Sequence, residues 1–438
     1  MAGTATAAGR KERWIATGSL VALAAGMLVG EVLWRQGAQG VVGAFAVAGD
    51  LVLVRPLMML VLPLILTCVL SGIVSLGDPS KLGRLGLATS AYFMVTMLFA
   101  AIIGAALVTI VGPGLGLPEE QVAALKTVGV ERFEAAPRLA DAASAGEQGL
   151  GAAWLQIARQ LLPANPFAAM AAGQPLGMIA FAIVLGVALS LGGAGAEPAI
   201  RLLTSLNDAL LRAVGWVMWI VPVGAFLLVA SSVGRVGLGE LLGVLGLYMA
   251  VVVGGLVIHM FVVLPAAQFV LGGGNPYRFM WQMREALATA FATASSSATL
   301  PVTMRVAETE GGCSRRATRF CVPLGSTLNM DGTALYEAVA VVFLFQLYGV
   351  ELSMGELAVV VATATLAAVG AAGIPSAGLV TMVIVITAVN ASLGSEKLPV
   401  GAMGIVIGVD RLLDMCRTTV NVWGDSGAAR IMTRIAPD

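Results

Sequence analysis

The segment from Asp410 to Asp425 reads DRLLDMCRTTVNVWGD, and it constrains the chain more than any other stretch. Its key polar positions are Asp410, Asp414, Arg417, Thr418, Asn421 and Asp425. The steps between them are four, three, one, three and four. On a helix these steps place Asp410, Asp414, Arg417, Asn421 and Asp425 along one stripe, with Thr418 at its edge. The preceding run, Val400 to Val409 (VGAMGIVIGV), carries no charge. The stripe therefore belongs to a segment apolar enough to enter a bilayer. A charged side chain at the centre of a membrane helix costs about 2.5–3.5 kcal/mol on insertion scales. Five such groups facing lipid (Asp410, Arg411, Asp414, Arg417 and Asp425) would cost about 12–17 kcal/mol. The stripe must face protein, water, ions or a ligand instead. A buried structural ion-pair network is the plain alternative, but intramembrane ionisable residues mark functional pathways far more often.

Composition agrees with a membrane location. Of 438 residues, 58% are hydrophobic and 11% charged, with a mean hydropathy of +0.92. Soluble domains carry about 25% charged residues. This is the profile of an all-α polytopic membrane protein. A net charge of zero offers no basic patch for nucleic acid. Cys68, Cys313, Cys321 and Cys416 have no metal-ligand spacing and fall in or beside apolar segments, so no disulfide framework is expected. The single histidine, His259, lies in the apolar run VVVGGLVIHMFVVL and reads as a satisfied or interfacial side chain rather than a proton relay. Near the N-terminus, Arg10, Lys11 and Arg13 precede an apolar run reaching Trp34, which reads as a first membrane helix rather than a cleavable signal.

Taken in order, the expected spans are Trp14–Trp34, Leu51–Leu76, Gly83–Val111, a broken Pro163–Leu191, Ile200–Ala230 and Leu241–Leu271. Gly112–Gly151 is the long polar stretch, an external loop with six acidic residues. Beyond residue 276 the pattern changes. Tyr277–Ala307 is interrupted around Ser295–Ser297, and Leu357–Asn390 is interrupted around Gly373–Gly378. In each, a small or polar tip separates two arms shorter than the roughly 20 residues needed to cross the hydrocarbon core. Both read as re-entrant hairpins, because a non-helical tip is tolerated at membrane depth only when buried in protein or lining a cavity. A span interrupted by Asn329-Met-Asp-Gly-Thr333 follows the first, and Leu398–Ile435 follows the second. Hairpin plus broken helix, twice, is the pattern of an inverted repeat with a site at the midplane. Arg10, Lys11, Arg13, Lys81, Arg84, Arg278, Arg284, Arg305, Arg315, Arg316, Arg319, Arg430 and Arg434 fall on one side only if there are eight transmembrane helices and two hairpins that do not cross; both termini are then cytoplasmic.

These motifs resemble the glutamate transporter family, the dicarboxylate and amino-acid:cation symporters. The matching strings are Ser295-Ser-Ser with Thr299-Leu-Pro301, Asn329-Met-Asp-Gly-Thr333, Gly373-Ile-Pro-Ser-Ala-Gly378 and the Asp410–Asp425 stripe. The resemblance covers nearly the whole chain from about Arg10. It implies an elevator-type transporter of the cell (inner) membrane, working by alternating access and assembled as a homotrimer. Spans one, two, four and five would form the scaffold and trimerisation part. Spans three and six would join a transport core over residues 277–435.

The resemblance also implies the ligands. The substrate would be an acidic amino acid, aspartate or glutamate. Arg417 would take the side-chain carboxylate through its planar fork. Asp414 would hold the ammonium, and Thr418 and Asn421 would add hydrogen bonds. The hairpin tips (Ser295, Ser296, Ser297 and Gly378) would receive the α-carboxylate, with Thr333 close by. Two to three sodium ions are implied. One would lie between Asp425, Asn421 and the carbonyls of Gly325 and Asn329; a second would use carbonyls near Thr327 and Met330 and the second hairpin; a third would use Asp331, Asn329 and Thr96. Some features depart from the family pattern. Met97 stands where many sodium-coupled members have a hydroxyl, and Phe93 replaces a Tyr. Ala294 and Met415 stand where other branches place an arginine, and Arg411 is a partial substitute. Glu337 follows proton-coupled members and is the proton-carrier candidate; its plain alternative is a structural hydrogen-bonded carboxylate. Within transport, the rival readings are a C4-dicarboxylate carrier, against which Asp414 argues, and a neutral amino-acid carrier, against which Arg417 argues. An intramembrane aspartyl protease would need two close carboxylates sharing a proton, and Arg417 and Asn421 occupy that face instead. The chain is not expected to be an enzyme.

Overall fold

The structure, a computed structural model, describes residues 18, 21–76, 79–134, 136, 159, 162–171, 175–236, 245–369, 371, 373 and 375–438. All regular structure among these residues is helical. The start of the first expected span, much of the acidic stretch after Glu134 and the first residues of the sixth span lie outside the described residues.

Helix α1 covers 21–35. It packs on a later helix, α9 (Val221–Val236), through small residues: a Cβ at Gly30 would fall 2.7 Å from the Ala230 carbonyl. Such residues let membrane helices approach closely. The second expected span is longer than its apolar core. Helix α2 (Gln39–Gly49) passes through a π-turn at Asp50–Val54 into α3 (Arg55–Leu76). Asp50 accepts from Arg55 Nε at 2.6 Å, a five-residue spacing that suits a π-turn, and this pairing lets two charged residues sit within a continuous helix. Helix α4 (Pro79–Val111) is the third span.

The polar stretch that follows is more than a loop. Helix α5 (Glu119–Glu134) docks against the start of the final helix, α18 (Gly404–Met432), and the Gly129 carbonyl and Gly404 approach so closely that neither side admits a Cβ. In the fourth segment the described residues form α6 (Pro166–Ala171) and α7 (Pro175–Leu191), and the expected break between them, at 172–174, lies outside the described residues. The fifth divides into α8 (Glu197–Val217) and α9, joined by a 3-10 turn at Met218–Ile220 next to Pro222, whose missing N–H interrupts the ladder. Helix α10 runs unbroken over Gly246–Gly272.

The second half contains the hairpins. After the short helix α11 (Pro276–Gln282), the arms of the first hairpin are α12 (Arg284–Thr293) and α13 (Ser296–Thr309), packed on each other. Ala294 turns the chain at φ +50° and Ser295 caps α13 by accepting from the Ala298 N–H. Next come α14 (Arg315–Leu328) and α15 (Asp331–Leu347), separated by Asn329 and Met330, which leave helical geometry. The arms of the second hairpin are α16 (Met354–Val369) and α17 (Ala377–Ser392), with Ser376 at φ +60°.

The expected second broken helix is not broken. Helix α18 is continuous for 29 residues, preceded only by a 3-10 turn at Val400–Met403. Its functional stripe presents side chains, so it has no need to free backbone groups. Helix α15 is enclosed by α4, α10, α16, α17 and α18, and nearly all its residues are buried. Among the described residues, three helical runs are long and apolar enough to cross a membrane: Gly83–Val111, Gly246–Gly272 and Arg315–Leu347.

Candidate functional site

The stripe on α18 faces inward along its length. Asp410, Asp414, Arg417, Thr418, Asn421 and Asp425 are all buried. Arg417 is held on three sides. Its Nε donates to Asp414 Oδ1 at 2.8 Å, its Nη1 donates to Asp410 Oδ1 at 2.9 Å, and its guanidinium lies 4.2 Å from the centre of the Tyr336 ring. Nη2 makes no hydrogen bond. Sequence reasoning assigned Arg417 as an open fork, but here the fork is engaged from within. The missed partner, Asp410, lay on the same stripe seven residues earlier and was left without a role. Tyr336, from α15, had no legible signal.

The second hairpin closes over this group. The Ser376 N–H donates to Asp414 Oδ2 at 2.7 Å, and the Thr418 hydroxyl reaches Asp414 Oδ1 at 3.5 Å. A Cβ at Gly378 would lie 3.0 Å from Thr333 Cγ2 and 3.5 Å from Arg417 Cζ. Asn421 connects to the break between α14 and α15: its Oδ1 accepts from the Gly332 N–H at 2.7 Å, and its Nδ2 lies 3.4 Å from Thr333 Oγ1. The two hairpin tips touch. Gly373 O accepts from the Ser297 N–H at 3.0 Å and from Ser295 Oγ at 2.7 Å. Ser296 sits between them at the start of α13. Thus Ser295–Ser297, Thr333, Gly378, Asp414, Arg417, Thr418 and Asn421 surround one buried region between the tips and α18.

A second cluster lies one to two turns further along α18. Asp425 Oδ1 accepts from Asn329 Nδ2 at 3.0 Å. Gly325 packs so closely on Asp425 Oδ1 that a side chain there would displace the carboxylate. A Cβ at Gly424 would lie 2.6 Å from both Asn329 Nδ2 and Asp331 Oδ2. Asn329 Oδ1 and both Asp331 oxygens accept no hydrogen bond. The cluster is thus rich in buried oxygen acceptors, the donor chemistry that hard cations take. Of the other expected ion ligands, Met330 is tied to Met97 Sδ by its N–H at 3.3 Å, Thr327 donates to the Leu324 carbonyl, and Thr96 donates to the Phe93 carbonyl at 3.1 Å. The departure at position 97 therefore has a structural counterpart: the thioether takes a backbone N–H at the helix break.

Glu337 lies one turn after Thr333 on α15, and its partner Thr381 also reaches the Gly378 carbonyl. Glu337 is fully buried and accepts from the Thr381 hydroxyl of α17; its Oε2 has no partner. His259, expected to be satisfied or interfacial, is neither. It is fully buried on α10, neither ring nitrogen makes a hydrogen bond, and Nε2 lies 3.5 Å from Asp331 Oδ2.

The profile of the sodium:dicarboxylate symporter family matches residues 15–435. The chain belongs to this family. It is similar to the neutral amino acid transporter B(0) of Oryctolagus cuniculus, at 36% identity over 94% of this chain and 79% of the relative. It is 34% identical to excitatory amino acid transporter 3 of Mus musculus, over 97% of this chain and 86% of the relative. An excitatory amino acid transporter of Caenorhabditis elegans is 36% identical over 87% of this chain and 79% of its own length. As a member of the symporter family the chain is a sodium-coupled membrane transporter, not an enzyme, and the intramembrane protease reading falls.

Proposed function

We propose that this transporter carries acidic amino acids, aspartate or glutamate, together with sodium. One observation carries the reading: a fully buried arginine and a buried aspartate, Arg417 and Asp414, lie side by side beneath two touching hairpin tips. A dicarboxylic amino acid presents the complementary set. Its side-chain carboxylate pairs with Arg417 at the free Nη2, and its ammonium competes with the Ser376 N–H and Arg417 Nε for Asp414. Its α-carboxylate takes N–H groups at the tips near Ser296 and Gly378, while Thr333, Thr418 and Asn421 complete the polar lining. The relatives' names cover excitatory and neutral amino acids, and Arg417 favours the acidic class because its Nη2, which has no hydrogen bond here, gains a charged acceptor only from a side-chain carboxylate. Asp414 argues against a C4-dicarboxylate, which brings no ammonium.

Sodium occupies the oxygen-rich cluster in this reading. Asp425, Asn421 and the carbonyls of Gly325 and Asn329 form one site; carbonyls near Thr327 and Met330 with the second hairpin form another; Asp331, Asn329 and Thr96 form a third. Glu337 is the proton-carrier candidate. The described helices distribute as eight spans (α1; α2–α3; α4; α6–α7; α8–α9; α10; α14–α15; α18) and two re-entrant hairpins (α12–α13 and α16–α17). Residues 277–435 with α4 and α10 form the moving core, and the remaining spans form the scaffold of a homotrimer in the cell membrane, with both termini cytoplasmic. The test is uptake of labelled aspartate, glutamate, serine and succinate into proteoliposomes with sodium and proton gradients imposed separately. Sodium-driven uptake of the two acidic amino acids, exceeding that of serine and succinate, is expected. Preferential serine or succinate uptake refutes the substrate assignment.

A further inference from the structure

His259 is the chain's only histidine, and it begins a π-turn (His259–Val263) within α10. Such turns are frequent at functional sites. The imidazole is fully enclosed, and its Nε2 lies 3.5 Å from Asp331 Oδ2. That carboxylate is itself fully buried and accepts no hydrogen bond at either oxygen. Removing an ionised carboxylate from water costs several kcal/mol unless partners replace the solvent. Two kinds of partner are at hand: a cation, which takes oxygen, and an N–H donor.

We propose that His259 is a positioning residue for the cation at Asp331: its imidazole donates Nε2–H to Asp331 Oδ2 and so orients the carboxylate, beside Asn329 Oδ1, for the ion. The inference rests on the reading of Asp331 as a sodium ligand. A neutral donor suits the task. Lysine or arginine here would cancel the carboxylate's charge and the attraction for a monovalent cation, whereas an imidazole N–H fixes the oxygen's orientation and leaves that charge in place. The imidazole is not itself a ligand, because sodium prefers oxygen. The ring nitrogen, the carboxylate and the Asn329 amide come from three different segments, α10, α15 and the break before α15. Through this contact, span six senses the state of the ion site without touching the substrate.

Removing a partner that orients a metal ligand typically costs 10–100-fold in metal affinity. In the purified full-length protein, His259→Phe is expected to raise the half-saturating sodium concentration about 10–100-fold, read as the sodium dependence of the thermal unfolding midpoint without substrate. Aspartate affinity at saturating sodium should stay near the parent's. His259→Gln, which keeps an N–H donor, should recover most of the sodium affinity. An unchanged sodium titration in His259→Phe, or a Gln variant as weak as the Phe variant, overturns the proposal. Asp331→Asn is the control: if it too leaves sodium binding unchanged, the ion-ligand reading of Asp331 has failed as well. The parent supplies an arm that needs no substitution. As the only histidine, His259 gives a single pair of imidazole ¹⁵N resonances, which report its tautomer. A ring protonated at Nε2 in the sodium-bound protein is expected, and one protonated only at Nδ1 overturns the proposal.

Discussion

Gly373→Ala is the substitution that most directly tests whether contact between the hairpin tips encloses the substrate. Gly373 O accepts both the Ser297 N–H (3.0 Å) and the Ser295 hydroxyl (2.7 Å), so one residue joins the tips. A Cβ added there would lie 2.5 Å from Ser297 Oγ and 2.5 Å from the Ser326 carbonyl. Relieving both contacts requires a shift of roughly 0.5–1 Å at a buried tip with backbone on one side. Such a shift sacrifices both bonds to Gly373 O. At about 0.5–1.5 kcal/mol net for each, the closed tip arrangement loses about 1–3 kcal/mol. That corresponds to about 5–150-fold in any binding step coupled to closure. The assay is equilibrium aspartate binding to purified protein at saturating sodium, with Gly254→Ala as the control, since a Cβ there meets nothing within 4 Å. The Gly373 variant should bind 5–150-fold more weakly, within the same range, and the control should match the parent. A folded Gly373→Ala protein whose aspartate affinity stays within about two-fold of the parent's would refute the argument, because tip contact would then contribute nothing to binding.

Three further outcomes follow from the site. Arg417→Cys leaves Asp410 and Asp414 without their shared partner and should abolish aspartate and glutamate uptake, with serine uptake as the gain to look for; unchanged aspartate affinity would remove Arg417 from the carboxylate role. Asp414→Asn should weaken aspartate by roughly 30- to 5000-fold, from about 2–5 kcal/mol for truncating one member of a buried charge pair, while succinate changes far less; equal losses would contradict the ammonium assignment. Glu337 is buried with one hydroxyl donor and an unpartnered Oε2, so uptake should accelerate as external pH falls from about 8 to about 6 at fixed sodium. Glu337→Gln should flatten this profile and leave aspartate binding intact, and a variant that keeps the parent's profile makes Glu337 a structural group.

Much of this protein is legible along the chain because the bilayer restricts the options so strongly. Apolar runs must become helices, since every backbone group has to be satisfied within the segment. Charges inside such runs must turn inward, which is why the Asp410–Asp425 stripe marks the candidate site in the sequence alone. The interrupted runs at Ser295–Ser297 and Gly373–Gly378 showed hairpin tips, because their arms are too short to cross. Local pattern did not reveal what meets what. Nothing in the spacing tells that Asp410 shares Arg417 with Asp414, that the Ser376 N–H reaches Asp414, or that Gly373 joins the tips. These contacts link residues on different elements, and packing alone sets their partners. The same holds for His259, whose apolar surroundings suggested a bland role until α10 was placed against α15 beside Asp331. Periodicity and composition report which face of a helix is buried. Only the tertiary arrangement decides which buried polar group meets which, because a hydrogen bond depends on distances of a few tenths of an ångström between segments far apart in sequence.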